Sequence, residues 1–148
     1  MGTRNRIEVM HGVNLDQLGR RNPSHYGGLN FDRLEQRIGQ FARELGLTTR
    51  FFQTNSEAEF VAHLHRLEDL ADGIVLNPGA WTHYSYAIRD ALEIADLPSV
   101  EVHLSDVDAR EPWRRQSVIT DLCLTRIAGK GPDGYRDALE RLRAELSE

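Results

Sequence analysis

Apolar runs of strand length alternate with segments of helical period along almost the whole chain, and this alternation restricts the fold more than any single residue does. Ile7 to Met10, Leu47 to Phe52, Gly73 to Leu76, Ser99 to Ser105 and Leu122 to Ala128 read as five strands. Between the first two, Phe31, Leu34, Ile38, Phe41 and Leu45 recur at helical spacing until Gly46, with Asn30 placed as the cap. Ser56 followed by Glu59 is a capping-box pattern ahead of an inner stripe of Phe60, Leu64 and Leu67. A third helix is expected after Thr82, with Tyr84, Ile88, Leu92 and Ala95 inward. A last one is expected to be capped by Asp133 and to bury Tyr135, Leu139, Leu142 and Leu146. No repeat, low-complexity tract or linker interrupts the pattern, so residues 1–148 are expected to form one domain.

Strands separated by helices imply a parallel sheet, because each crossover returns the chain to the same strand direction and right-handed connections dominate. The expected architecture is α/β, a flavodoxin-like doubly wound five-stranded parallel sheet with helices on both faces. Ligands in such sheets bind beyond the carboxyl ends of the strands, near the switch in strand order. The loops that meet there are Gly12 to Tyr26, Gln53 to Glu57, Asn77 to His83 and Ser105 to Arg114. They carry most of the chemically capable side chains.

Two stretches concentrate that chemistry. Arg20 to Gly27 places Tyr26 beside arginines, and Glu101 to Ser105 runs into a loop containing Arg110, Arg114 and Arg115. A period of two puts Glu101, His103 and Ser105 on one face of a strand. A carboxylate there can fix the tautomer of the imidazole and leave its other nitrogen free for proton transfer. The same pattern also fits an edge strand with a solvated polar face. Tyr26 before Gly27-Gly28 also fits a turn aromatic, and Arg110 and Arg114 are spaced to pair with Asp108 and Glu111 on a surface.

Composition removes several functional classes. A net charge of -5 argues against nucleic acid or an anionic membrane as the main partner. No apolar run approaches the ~20 residues of a membrane span, and the charged segment Met1 to Arg6 is not followed by a signal-peptide core. Cys123 is the only cysteine, which excludes an internal disulfide and makes a reducing cytoplasm the expected setting. Lys130 is the only lysine and lies in a Gly/Pro-rich loop without a P-loop frame or the burial a Schiff base needs. Met10 to Leu15 lacks the glycine pattern of a dinucleotide site, and His63 and His65 are wrongly spaced for a helical zinc site. Neither a nicotinamide or flavin cofactor nor a structural metal is expected.

The chain resembles the type II 3-dehydroquinate dehydratases from about Ile7 to Tyr135. The likeness rests on several separated motifs in order. Gly12, Asn14 and Leu15 are followed by Leu18-Gly19, Arg21, Pro23, Tyr26 and Gly27, then by Gln53, Asn55, Glu57 and Glu59. Asn77-Pro78-Gly79-Ala80, Thr82-His83, Ala87 to Ala91, Glu101 to Ser105, Ala109 to Glu111 and Arg114 complete the set. Departures from the family pattern fall at His11, Val13, Asn22, Asp106 and Asp108, where Asp106 and Asp108 add negative charge expected to lie beside Arg110.

The resemblance implies a cofactor-free anti elimination of water from 3-dehydroquinate, giving 3-dehydroshikimate through an enolate. It makes Tyr26 the base, with Arg21 and Arg110 favouring its phenolate; a free phenol, of pKa about 10, needs such neighbours to act at neutral pH. Asn14 would hold a water against the enolate oxygen, and His103, oriented by Glu101, would protonate the leaving hydroxyl. Asn77 and Ser105, with the amides of Leu104 and Ser105, would bind the substrate carboxylate, while His83 and Arg114 would hold ring hydroxyls. Asp90 would reach a neighbouring subunit's site in a dodecamer built from four trimers. Two alternatives are a divergent relative acting on another hydroxy-keto carboxylate, and a non-catalytic binding module on the same fold.

Overall fold

The computed structural model describes residues 3–148, so Met1 and Gly2 of the N-terminal segment lie outside it. Five parallel strands form one sheet: β1 (Arg6–His11), β2 (Thr48–Gln53), β3 (Gly73–Asn77), β4 (Ser99–His103) and β5 (Thr125–Ala128). Their spatial order is β2-β1-β3-β4-β5, the flavodoxin-like winding, with the switch between β1 and β3. Five α-helices accompany them: α1 (Pro23–Tyr26), α2 (Phe31–Glu44), α3 (Glu57–Leu64), α4 (Tyr86–Ala95) and α5 (Asp133–Leu146).

Alternate strand residues feed two separate cores, as a sheet covered on both sides requires. Ile7, Val9, Val75, Val100 and Val102 pack against the inner stripes of α2 and α5. Met10, Ile74 and Leu76 pack against Phe60 and Leu64 of α3 and Ile88, Ala91, Leu92 and Ala95 of α4. Among the described residues no helix is long and apolar enough to cross a membrane.

Local expectations fare unevenly. Asn30 caps α2 by accepting from the Arg33 amide at 2.9 Å, and Gly46 follows its end at φ 72°. Ser56 caps α3, but Glu59 turns away from the Ser56 amide and accepts from the Thr54 hydroxyl at 2.5 Å instead. Tyr84 is 60% exposed rather than inward. A 3-10 turn over Gly79–His83 ends just before it, and the helix starts only at Tyr86, capped by Ser85 Oγ on the Ile88 amide. Asp133 does not cap α5: it is the first helical residue and its carboxylate pairs with Arg37 at 3.2 Å.

The last two strands are shorter than their apolar runs. β4 ends at His103, whose partner Ala128 is the last residue of β5, and beyond it Ser105 and Leu104 accept from Gly129 and Gly131 in a loop. Thr120–Leu122 forms a 3-10 turn ahead of β5. β4 is nonetheless wholly buried between β3 and β5, which removes the solvated-edge reading of Glu101 and His103.

Candidate active site

β1 and β3 end side by side, His11 opposite Asn77, and their loops cross backbone to backbone. Gly12 donates to the Asn77 carbonyl at 2.7 Å. A Cβ on Gly12 would stand 2.3 Å from the Pro78 oxygen, so the crossing needs a glycine. Past it, Asn14 adopts a left-handed conformation at φ 70°. Its amide donates to Asn55 Oδ1 at 2.8 Å, while Asn55 Nδ2 faces both Asp16 carboxylate oxygens at 3.3 Å, which fixes the amide's orientation. Gln53 Nε2 ties the same loop through the Gly12 carbonyl at 3.3 Å. His11 fills the core edge-on to Phe31, with Nε2 3.4 Å from Glu35.

The short helix α1 presents Tyr26. Asn22 Oδ1 accepts from the Ser24 amide, Pro23 occupies the first turn, and Gly27 ends the helix at φ 64°. The Tyr26 hydroxyl accepts from Arg21 Nη2 at 2.8 Å and from Arg110 Nη1 at 2.9 Å. The Arg110 nitrogen also donates to Ser105 Oγ at 3.1 Å, so it ties α1 to the loop after β4. An oxygen that accepts from two guanidinium groups is suited to carry negative charge. Asp108 leaves this arrangement undisturbed: against the sequence expectation, its carboxylate turns to Arg126 at 3.1 Å. Arg110 and Arg114 do contact Glu111, at 3.9 and 3.1 Å, yet both side chains are largely buried and line the cavity.

Opposite the phenol lies a buried dyad. His103 Nε2 is 2.5 Å from Glu101 Oε2, which leaves Nδ1 as the nitrogen available to a bound molecule. Glu101 accepts further from Thr82 Oγ1 and Thr120 Oγ1, each at 2.5 Å, and from Ser117 Oγ at 3.0 Å. Burial works against its ionisation, but the donors from His103, Thr120 and Thr82 prevail and hold the carboxyl down at about 2. His83 Nδ1 lies 2.6 Å from the Gln116 carbonyl, and because a carbonyl only accepts, that nitrogen carries a proton. Burial keeps His83 below the usual histidine range, helped by His103 and Arg114, so its neutral ring offers Nε2 as an acceptor.

These side chains surround a cavity of about 130 Å³. Asn14, Arg21, Tyr26, Asn77, His83, His103, Leu104, Ser105, Arg110 and Arg114 all line it. Three guanidinium groups face it and no carboxylate does, although the chain as a whole is acidic. Two sequence-derived positions do not line it. Glu101 sits behind His103, and Asp90 lies on the exposed face of α4. His63 is taken by Glu8 at 2.6 Å, and among the described residues no His, Cys, Asp and Glu group is placed to hold a metal ion.

The sequence profile described as dehydroquinase class II matches residues 5–143. The chain belongs to this family. A 3-dehydroquinate dehydratase of Thermotoga neapolitana is 47% identical over 143 residues, covering 97% of this chain and 97% of that protein. Among solved structures, a type II dehydroquinase from Butyrivibrio crossotus is 36% identical, with a TM-score of 0.90, covering 99% of this chain and all of that one. Another, from Propionibacterium acnes, is 41% identical with a TM-score of 0.89, covering 97% and 98% of the two chains.

For this class II dehydroquinase chain, four polar residues around the site carry no local signal of their role. Ser117 and Thr120 lie in an aperiodic loop and reach Glu101 from 16 and 19 residues away. Thr82 and Asn55 belong to the family motifs, but only the fold places one beneath the dyad and the other beside Asn14. Cys123, pushed up to about 12 by burial and by Glu101, is unsuited to nucleophilic work.

Proposed function

We propose that this protein dehydrates 3-dehydroquinate to 3-dehydroshikimate without a cofactor. The observation that carries the reading is a phenol oxygen bonded to two guanidinium groups, facing a carboxylate-backed imidazole across a cavity lined by cations. As phenolate, Tyr26 removes a proton from the carbon beside the substrate ketone, and the electron pair moves onto the ketone oxygen as an enolate. Asn14 holds a water against that oxygen. His103 then gives its proton to the departing hydroxyl as the enolate collapses, so that a conjugated enone and water leave. Solvent water takes the proton from Tyr26 and returns one to His103, which restores the phenolate and the general acid together.

Binding roles follow from position. Asn77, Ser105 and the Leu104–Ser105 backbone hold the substrate carboxylate, and His83 and Arg114 hold ring hydroxyls. Arg21 and Arg110 serve the base, and Glu101 acts through His103. A single domain carries the activity, and the cytoplasm suits its one unpaired thiol. We further infer a homo-oligomer, a dodecamer of four trimers, in which Asp90 reaches the next protomer's site. Support comes from the exposed side of α4, where Asp90 lies near Tyr86 and Ile94, 62% and 65% exposed.

Purified protein with 3-dehydroquinate and chelator is expected to develop enone absorbance in the ultraviolet, and Tyr26→Phe is expected to slow that rise by roughly a hundredfold or more. No absorbance from a protein that still binds the substrate would favour a relative acting on another hydroxy-keto carboxylate. Light scattering during gel filtration would test the assembly, a trimer or monomer mass counting against the dodecamer.

A further inference from the structure

We propose that Ser117 and Thr120, together with Thr82, are positioning residues for the general acid, acting through Glu101. The inference rests on the dyad reading given above and concerns residues to which that reading assigns nothing. Glu101 is fully buried, and its two oxygens accept from four side chains. Oε1 takes the Thr120 hydroxyl, Ser117 Oγ reaches both oxygens at 3.0 and 3.2 Å, and Oε2 takes Thr82 and His103. A carboxylate is acceptor-only when ionised, so all four partners donate and a proton on either oxygen would break one of the bonds. Glu101 is thereby fixed as an anion in one rotamer, and the His103 ring with it.

The hydroxyls are themselves anchored. Ser117 and Thr120 flank Val118, whose amide donates to the Thr82 carbonyl at 2.8 Å and whose carbonyl accepts from Arg89 Nη1 at 2.8 Å. Arg89 also pairs with Asp121. The Gln116 carbonyl lies 2.6 Å from His83 Nδ1. Residues 116–121 thus form a strap stapled to α4 and to the turn after β3, and its two hydroxyls meet the carboxylate that orients the acid. Neither hydroxyl residue lines the cavity. Their effect on turnover therefore passes through Glu101 and His103, which makes them positioning residues and not catalytic ones.

A double-mutant cycle tests this, with kcat and KM measured on 3-dehydroquinate and thermal unfolding followed alongside. Thr120→Val and Ser117→Ala are each expected to lower kcat roughly ten- to a hundredfold, the scale of one hydrogen bond to a charged group, with KM little changed. Thr120→Ser, which keeps the donor, is expected to recover most of the turnover lost in Thr120→Val. In a Glu101→Gln background the same substitutions are expected to have far smaller effects, because their route to His103 is already cut. Equal losses in both backgrounds would assign the strap to folding alone and overturn the proposal. A slow Glu101→Gln enzyme combined with full-rate Thr120→Val and Ser117→Ala variants would also overturn it, while sparing the dyad. A full-rate Glu101→Gln enzyme would remove the dyad reading itself, and this proposal with it. Should Thr120→Val fail to fold, Ser117→Ala at the half-buried position decides between these outcomes.

Discussion

The Tyr26 hydroxyl and the Arg110 guanidinium, 84 residues apart in sequence, meet at 2.9 Å. This bond joins α1 to the loop after β4 at the atom assigned as base. Removing only that oxygen separates chemistry from architecture. Tyr26→Phe is expected to lower kcat by roughly 10²–10⁴-fold, the span of one general acid or base, and to leave binding of a carboxylate mimic and thermal unfolding near wild type. Turnover within a few-fold of wild type would mean that another group takes the proton.

Arg114 also lines the cavity and is anchored by residues outside it. Its Nε donates to Glu111 at 3.1 Å, and its guanidinium lies 4.1 Å from the Trp113 ring centroid. Its proposed partner is a ring hydroxyl and not a reacting atom, so it would bind substrate and transition state about equally. Arg114→Ala is therefore expected to raise KM roughly tenfold or more with kcat largely kept. Steady-state kinetics would reveal a mistaken assignment if kcat fell instead and KM stayed constant.

Glu101 gives the protein a defined acid limit. Its carboxyl lies at about 2 against an ordinary value of 4.5, so the unfolded chain takes up the proton more readily than the folded one. The stability this contributes is fully present above about pH 4.5 and is lost as pH falls toward about 2. Urea unfolding between pH 7 and pH 3, compared for wild type and Glu101→Gln, isolates the effect. The wild-type protein should lose more stability than the variant across that window. Parallel losses would show that other carboxylates set the acid limit.

What the sequence discloses about this fold and site follows from the range of the interactions involved. The strand and helix order is legible because burial on two faces imposes periods that survive in any window of the chain, as in Leu34, Ile38 and Phe41 or Leu139 and Leu142. The dyad is legible for the same reason, since Glu101 and His103 are two residues apart on one strand. Helix starts are less legible: Thr82 and Ser85 are both competent caps, and only the 3-10 turn over Gly79–His83, which takes up Thr82, leaves Ser85 as the cap and Tyr84 outward. Asp133 looks like a cap, but its carboxylate finds Arg37 from 96 residues away. The hydroxyls of Ser117 and Thr120 and the bracing of Asn14 by Asn55 are long-range contacts made from loops. No periodicity marks them, and only the folded chain brings them to the site.

The crossing of the first and third loops is a close backbone contact with no room for a side chain at Gly12, and it yields a prediction with an internal control. A Cβ on Gly12 would lie 2.3 Å from the Pro78 oxygen and 2.7 Å from Pro78 Cα, so the backbone must move to admit it. Overpacking of this kind costs about 1–3 kcal/mol, and relief here must separate the Gly12 amide from the Asn77 carbonyl it meets at 2.7 Å. Asn14 lies two residues on and Asn77 is itself a cavity residue, so the displacement reaches both. Gly12→Ala is thus expected to lower the unfolding free energy by about that amount and to reduce turnover as well. Gly19 provides the comparison, because a Cβ there would meet only Asn30 Cβ, at an ordinary 3.6 Å. Gly19→Ala should leave stability within about 0.5 kcal/mol of wild type. Equal behaviour of the two variants in chemical denaturation would show that the loops have room to part, and that the placing of Asn14 does not depend on their contact.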